Sequence, residues 1–270
     1  MPELPEVETV RRTLKNFVLY KTIDSIEVRY PRIIEGDVDT FVSTLIHQSI
    51  CDIDRYGKYL IFILDNNAFI SHLRMEGKYN MKQKDEPYDK HDHIIFHMTD
   101  GTDLRYNDTR KFGRMQLVDK EHYREYPPLN RLGQEPMDAS FDYIYPRIHQ
   151  SHLPIKQLLL DQSIFTGIGN IYANEICFRM GMDPRTRGDR LSKKRIQELI
   201  EVSSTILKEA IAQGGTTIHS FDANGIHGLF QVTLSVHAQE TCSKCNGPIK
   251  KITIAGRGTY YCPNCQKRRY

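Results

Sequence analysis

A chain of 270 residues, 39% hydrophobic and 26% charged, has the composition of an ordinary folded protein and can bury roughly three quarters of its unfolded surface in about two domains. No run approaches the about 18 apolar residues of a membrane helix, and the acidic, proline-bearing start "MPELPEVETV" lacks the basic-then-apolar pattern of a secretory leader, so a cytoplasmic setting is expected. The net charge of +3 is unevenly spread: Thr241 to Tyr270 carries seven basic residues and no acid, which leaves −4 on the 240 residues before it. A compact basic tail is the electrostatic footprint of a nucleic-acid contact, the alternative being a merely solvated tail.

In chain order, Pro5 to about Tyr20 reads as a helix, with Leu4, Val7, Val10, Leu14 and Phe17 on a stripe of period near 3.6 and Pro5 suited to the first turn. From about Thr22 to Leu117 the pattern becomes short β-rich runs such as "YLIFIL", "AFISHL" and "HIIFHM", broken by turn residues, as in an antiparallel sandwich or barrel. "YPPLNRLGQEPMD", from Tyr126 to Asp138, is the expected linker. The chain then turns helical through "LPIKQLLLDQ", a "TGIGN" turn, "NIYANEICFRMG" and a long helix from Ser192, a plausible N-cap, to Gln213, stopped by Gly214 and Gly215. "GGTTIHSFDANGIHGLFQ" has neither period and reads as a functional loop.

Cys242-x-x-Cys245 and Cys262-x-x-Cys265, sixteen residues apart, have the spacing of a four-cysteine zinc site, the alternative of two disulfides being disfavoured in a reducing compartment. A module of this size has too little core to fold alone, so the zinc is expected to be structural, with no open position for water. It presents "KKITIAGRGTYY", in which Gly256 and Gly258 flank Arg257 and leave its guanidinium unshielded for a bidentate phosphate contact. Cys51 and Cys177 are expected to be buried apolar fillers.

Other candidates each have a bland alternative. The "TGIGN" junction offers backbone N–H groups at a helix start, with Asn170 able to cap and donate, or is only a tight connection. Lys58 in "YGKYL" stands beside a strand, where lysines usually serve solubility. His91, His93 and His97 alternate on one strand face, where structural hydrogen bonding is favoured over metal binding. Met75, Arg110 and Phe112, each beside a cation and a glycine, are a base-unstacking wedge or strand-end core residues.

These stretches together resemble one family. "PELPEVETVRR", "GKYL", "HLRMEGKY", "KHDH", "RKFG", "LGQEP", "GIGNIYANE", "GGTT" and "CSKCNGPIKKITIAGRGTYYCPNCQ" are similar, in order and from residue 2 to residue 265, to the bacterial formamidopyrimidine-DNA glycosylases. The endonuclease VIII-like sister branch characteristically begins PEGPE instead. The resemblance implies an α+β, multidomain chain: an N-terminal antiparallel β-sandwich with flanking helices over residues 2–130, a linker at 131–138, a helix-two-turn-helix domain with a lesion loop at 139–234, and a zinc finger at 235–270.

It further implies a bifunctional glycosylase and abasic-site lyase of base excision repair, a monomer acting on double-stranded DNA at 8-oxoguanine, formamidopyrimidines or abasic sites, with one structural Zn2+ and no catalytic metal. Pro2, exposed by removal of Met1, would be the nucleophile and Glu3 its acid/base partner, with Lys58 and Arg257 completing the catalytic set. Lys58, Asn170, Arg257 and His72 would grip phosphates, and Met75, Arg110 and Phe112 would fill the gap left by the flipped base. Glu76, Thr216 and Thr217 would stand at the damaged base, with Lys156 close by. The alternatives are an oxidised-pyrimidine glycosylase of the sister branch and a non-catalytic zinc-containing DNA-binding protein. One departure is visible: the family usually carries a Tyr-Gly-basic sequence shortly before its first zinc cysteine, where this chain has His237, Ala238 and Gln239.

Overall fold

The computed structural model describes residues 1–215 and 234–268, which fall into two compact units, Met1–Asn130 and Arg131–Gly215 with the described part of the C-terminal stretch. The first unit opens with helix α1 (Leu4–Val18), whose Leu4, Val7, Val10, Leu14 and Val18 are buried while Phe17 is only half-buried. Each such side chain contributes about 1.5–3 kcal/mol of burial. The strands follow as β1 (Ile23–Val28), β2 (Ile34–Glu35), β3 (Ile50–Tyr56), β4 (Tyr59–Leu64), β5 (Asn67–His72), β6 (Lys78–Gln83), β7 (Asp92–Met98), β8 (Thr102–Asn107) and β9 (Arg114–Asp119). They form a four-stranded sheet, β1-β7-β8-β6, and a five-stranded sheet, β2-β9-β5-β4-β3, antiparallel except for the short β2–β9 pairing.

The two sheets share one core, in which Phe69 of the five-stranded sheet stacks on Phe62 at 4.5 Å and on Phe96 of the other sheet at 5.5 Å. Helix α2 (Val38–Leu45), capped by Asp37 accepting from the Thr40 N–H at 2.7 Å, lies inside the stretch read as short β-rich runs. Its eight residues are too few, and too rich in β-branched side chains, for a helical period to stand out.

The second unit contains α3 (Phe141–His149), α4 (Ile155–Leu160), α5 (Asn170–Arg179) and α6 (Lys193–Ala212), then a hairpin of β10 (Lys250–Ile254) and β11 (Arg257–Tyr261). Ser192 caps α6 as expected, accepting from the Arg195 N–H at 3.3 Å. Helix α3 escaped the sequence reading because Pro146 stands inside it, where proline ordinarily argues against a helix. Among the described residues no helix is long and apolar enough to cross a membrane. The expected α+β architecture is present: an N-terminal β domain, a helical domain and a four-cysteine finger.

Candidate functional site

The N-terminus is held by its own helix. Glu3 is the N-cap of α1, and the Glu6 carboxylate reaches back to accept the Glu3 N–H at 2.8 Å, which orients the two residues ahead of the helix. Pro2 is half-buried and Glu3 is buried. Lys58 occupies the second position of a two-residue turn, Gly57–Lys58, that joins β3 to β4, with Tyr56 paired to Tyr59. It is buried, so the solubility role open to a strand-edge lysine does not apply.

His72, at the end of β5, is buried edge-on against Tyr59 at 4.4 Å. Its Nδ1 accepts the Arg74 N–H at 2.8 Å, so the neutral ring carries its proton on Nε2 and can donate one hydrogen bond. Burial, with the positive charges of Arg74 and Lys58 adding to it, pushes its pKa from 6.5 down to about 3. Lys58 and His72 are therefore neighbours in the first unit. A cavity of about 270 Å³ opens beside His72, lined also by Tyr59, Arg74, Arg114, Glu35 and Pro127.

Two loops carry the expected wedge. Met75 and Phe112 remain 38% and 47% exposed, which rules out a core role for them, and Arg110 is exposed with its guanidinium 4.7 Å from the Phe112 ring centroid. Asp108, fully buried, shapes the second loop by accepting the N–H groups of Arg110 (2.9 Å), Phe112 (2.9 Å) and Gly113 (2.8 Å). Thr109 Oγ1 donates to Glu76 Oε2 at 2.5 Å and so ties that loop to the one bearing Met75. Both loops pass over the Tyr106 hydroxyl: a Cβ on Gly77 would lie 2.2 Å from it and one on Gly113 1.7 Å, so only glycine fits either place.

The second unit presents the remaining cations. The hairpin turns through Ala255 (φ 48°) and Gly256 (φ 72°), a left-handed pair that matches the strand twist, and leaves Arg257 exposed as the first residue of β11. Asn170 does not cap α5 as expected: Gly169 is the N-cap, and Asn170 Nδ2 donates to the Gly258 carbonyl at 3.0 Å. Its Oδ1 is buried and has no hydrogen-bond partner among the described residues. Lys156, expected beside the damaged base, is fully buried, with its Nζ donating to Gly258 O at 3.0 Å and Thr259 Oγ1 at 2.7 Å. It braces the hairpin that bears Arg257.

Residues unremarked in the sequence do much of this positioning. Glu175, buried on α5, accepts the N–H groups of Ser235 (2.9 Å), Val236 (3.0 Å) and His237 (2.8 Å), and so fixes the entry to the finger. Gln162 shapes the turn before α5 by accepting from Gly167 N at 3.0 Å and donating to Ile168 O at 2.8 Å. Only the backbone groups they meet distinguish these side chains from ordinary surface acids and amides, and those partners are not written in local sequence. His237, at the departure from the family pattern, accepts from Asn174 Nδ2 at 2.6 Å and packs on Tyr260, and burial next to the charge of Lys156 lowers its pKa to about 4.

The four cysteine sulfurs lie within 4.8 Å of one another, with Cys242 to Cys265 at 3.8 Å and Cys245 to Cys262 at 3.5 Å. A tetrahedral zinc with bonds of about 2.3 Å has sulfur–sulfur edges of about 3.8 Å, so the donor set fits one structural zinc ion. Cys177 is buried as expected, but Cys51 is exposed at a register shift in β3, its thiol 3.4 Å from Asp65 Oδ1. The histidines act structurally: His97 Nδ1 meets Asp103 Oδ1 at 2.7 Å and His93 Nε2 meets the Asp108 carbonyl at 2.9 Å. Thr216, Thr217 and the loop after them lie outside the described residues.

Comparison with known proteins covers the whole chain. Residues 1–115 match the formamidopyrimidine-DNA glycosylase N-terminal domain, residues 132–222 its H2TH domain, and residues 239–268 a zinc finger found in FPG and IleRS. The formamidopyrimidine-DNA glycosylase of Bacillus licheniformis is 46% identical, covering 99% of this chain and 100% of its own length, and that of Bacillus subtilis is 45% identical, covering 100% of each. A Lactococcus lactis FPG mutant in complex with Fapy-dG containing DNA superposes with a TM-score of 0.93 at 38% identity, covering 99% of this chain and 100% of that one. A Lactococcus lactis complex with abasic-site DNA gives 0.92 at 37% identity, covering 98% and 100%. With its zinc cysteines gathered and three successive family models matched from residue 1 to residue 268, the chain belongs to the formamidopyrimidine-DNA glycosylase family.

Proposed function

We propose that this protein is a DNA glycosylase and abasic-site lyase of base excision repair that removes oxidised purines, 8-oxoguanine and formamidopyrimidines, from duplex DNA in the cytoplasm, at the nucleoid. The observation that carries the reading is its likeness, over nearly its full length, to complexes whose DNA holds Fapy-dG in one case and an abasic site in another. Those two DNA states are the substrate of the first step and the intermediate of the second.

The Pro2 nitrogen, freed by removal of Met1, attacks C1′ of the flipped nucleotide. The glycosidic bond breaks and its electron pair leaves with the base, which takes up a proton. The nitrogen gives up its proton, which balances the one the base takes up, and its restored lone pair then opens the sugar ring by forming a C1′=N bond while the ring oxygen takes a proton from Glu3. Because proline is a secondary amine, the product is a permanently cationic iminium. It acidifies the C2′ proton, so the 3′ phosphate leaves by β-elimination and the 5′ phosphate by δ-elimination. Attack requires the neutral amine, and an α-amino group, with a pKa of about 8, is far closer to neutrality than a lysine at about 10.4.

Lys58, His72, Asn170 and Arg257 hold phosphates around the lesion. Met75, Arg110 and Phe112 occupy the space the flipped nucleotide leaves, offsetting a few kcal/mol of unstacking. Glu76 stands by the base pocket, and Lys156 acts indirectly by bracing the Arg257 hairpin. The zinc ion, held by Cys242, Cys245, Cys262 and Cys265, supplies a scaffold. Borohydride added during reaction with an 8-oxoguanine duplex reduces the iminium to a stable adduct, and peptide mapping is expected to place it on Pro2. No adduct from protein whose mature N-terminus is Pro2 overturns the reading.

A further inference from the structure

A buried carboxylate close to the N-terminal end of helix α1 ties the helix to the sheet. Glu8 Oε1 accepts from Arg11 Nη2 at 2.8 Å and Arg12 Nε at 2.7 Å, and its Oε2 accepts from Arg11 Nε at 2.9 Å and Arg55 Nε at 3.1 Å. Arg55 belongs to β3, and the side chains of that pair are only 10% and 8% exposed. The same guanidinium donates from Nη1 to the Gly57 carbonyl at 3.0 Å, one residue before Lys58. Arg11 adds a second tie from α1 to β3, donating to Ile53 O at 3.2 Å.

The apolar stripe of α1 settles which face meets the sheet, but apolar attraction is non-directional and tolerates small slides along the axis. Guanidinium–carboxylate pairs do not, because their planar geometry is specific. A buried ion pair adds little net stability, and its best-attested use is to set register. Glu8 lies four residues, about 6 Å, along the helix from Leu4, which follows Pro2 by two residues. A further ion pair between α1 and β3, Lys15 to Asp52 at 2.5 Å, lies near the far end of the helix between half-exposed side chains and has no such lever on Pro2.

We propose that Glu8 and Arg55 are positioning residues for the reaction, forming one clamp that sets the Pro2 amine and Lys58 in a fixed relative geometry. The proposal rests on the function argued above and assigns a role to two side chains that touch neither base nor sugar. Desolvation opposes its charge, yet the three guanidiniums hold the Glu8 carboxyl at about 2, so the clamp is ionised throughout the working pH range.

The test compares wild type, Glu8→Gln, Arg55→Lys and Lys15→Ala for three readouts: borohydride-trapping rate in single turnover on an 8-oxoguanine duplex, Kd for a duplex with a tetrahydrofuran abasic analogue, and Tm. Arg55→Lys keeps the charge but cannot hold Glu8 and Gly57 O together. Its trapping rate is expected to fall on the order of 10- to 100-fold, with Kd within about threefold and an unmoved pH–rate midpoint, since displacement of reacting groups by about 1 Å costs that much. Glu8→Gln follows it in the same direction, and Lys15→Ala matches wild type. If Glu8→Gln does not fold, Arg55→Lys decides alone. Wild-type trapping by Arg55→Lys, or parallel losses in rate and affinity, overturns the clamp, whereas a wild type that traps nothing overturns the functional reading itself.

Discussion

Protonation decides what His72 can offer a phosphate. A buried ring with its pKa lowered from 6.5 to about 3 is neutral at working pH, so it contributes one oriented N–H and no charge. Between those two values the unfolded chain binds a proton that the native state refuses. The stability linked to His72 is therefore fully present above about pH 6.5 and lost as the pH falls toward 3. Its imidazole resonances should not titrate above pH 5, and His72→Gln should flatten the acid limb of the stability profile. A titration near 6.5 would show a solvated ring. Glu3, the N-cap of α1, belongs to the same scale: Glu3→Gln is expected to slow base release about 10²- to 10⁴-fold in single turnover while affinity for abasic-analogue DNA holds. Which residue types the chemistry needs was readable from "PELPE", but the environment that makes His72 neutral and Lys58 buried was not, because it is assembled from strands distant in sequence.

At the scale of elements, the loop proposed to carry the wedge depends for its shape on Asp108. An asparagine there exchanges one of two acceptor oxygens for a donor facing backbone N–H groups, so Asp108→Asn should cost about 1–3 kcal/mol of stability. Excision should fall further than the abasic-analogue affinity, because the loop bearing the wedge loses its shape. The finger depends on its metal. Chelation removes on the order of 10–16 kcal/mol of apparent folding free energy, so it should release four reactive thiols, abolish DNA binding and leave the β-sheet circular dichroism of the first unit intact. Loss of the sheet signal on chelation would show that the two units fold as one. Long periodic elements were legible, as α1 and α6 show; α2, too short, and α3, interrupted by Pro146, were not.

For the whole molecule, the cations proposed to hold phosphates come from both units, Lys58 from the first and Arg257 from the second. Each charged phosphate contact adds about 0.9 to the log–log salt dependence of binding, so Lys58→Ala and Arg257→Ala should each lower the slope by about 0.9 and the double variant by about 1.8. His72→Ala should weaken binding at every salt concentration without changing the slope, since a neutral donor displaces no counterion. A slope change for His72→Ala would overturn its assignment as a neutral donor. The side chains of Lys244, Lys250, Lys251, Lys267 and Arg268 are exposed and give the finger a basic surface, as the charge count along the sequence foretold.

By itself the sequence determined the local chemistry and its order: a proline and a glutamate at the start, a helix to carry them, paired cysteines for zinc, and a glycine-flanked arginine. These are decided by residue type and short spacing, which act through covalent geometry and first-neighbour contacts. Only the tertiary structure decided that Cys51 faces outward, that Lys156 is fully buried and braces the hairpin, that Asp108 and Glu175 bind backbone three times each, and that Arg55 joins Glu8 on the helix behind Pro2 to the turn of Lys58. Each of these depends on which atoms lose water together, and desolvation is a property of the packed chain.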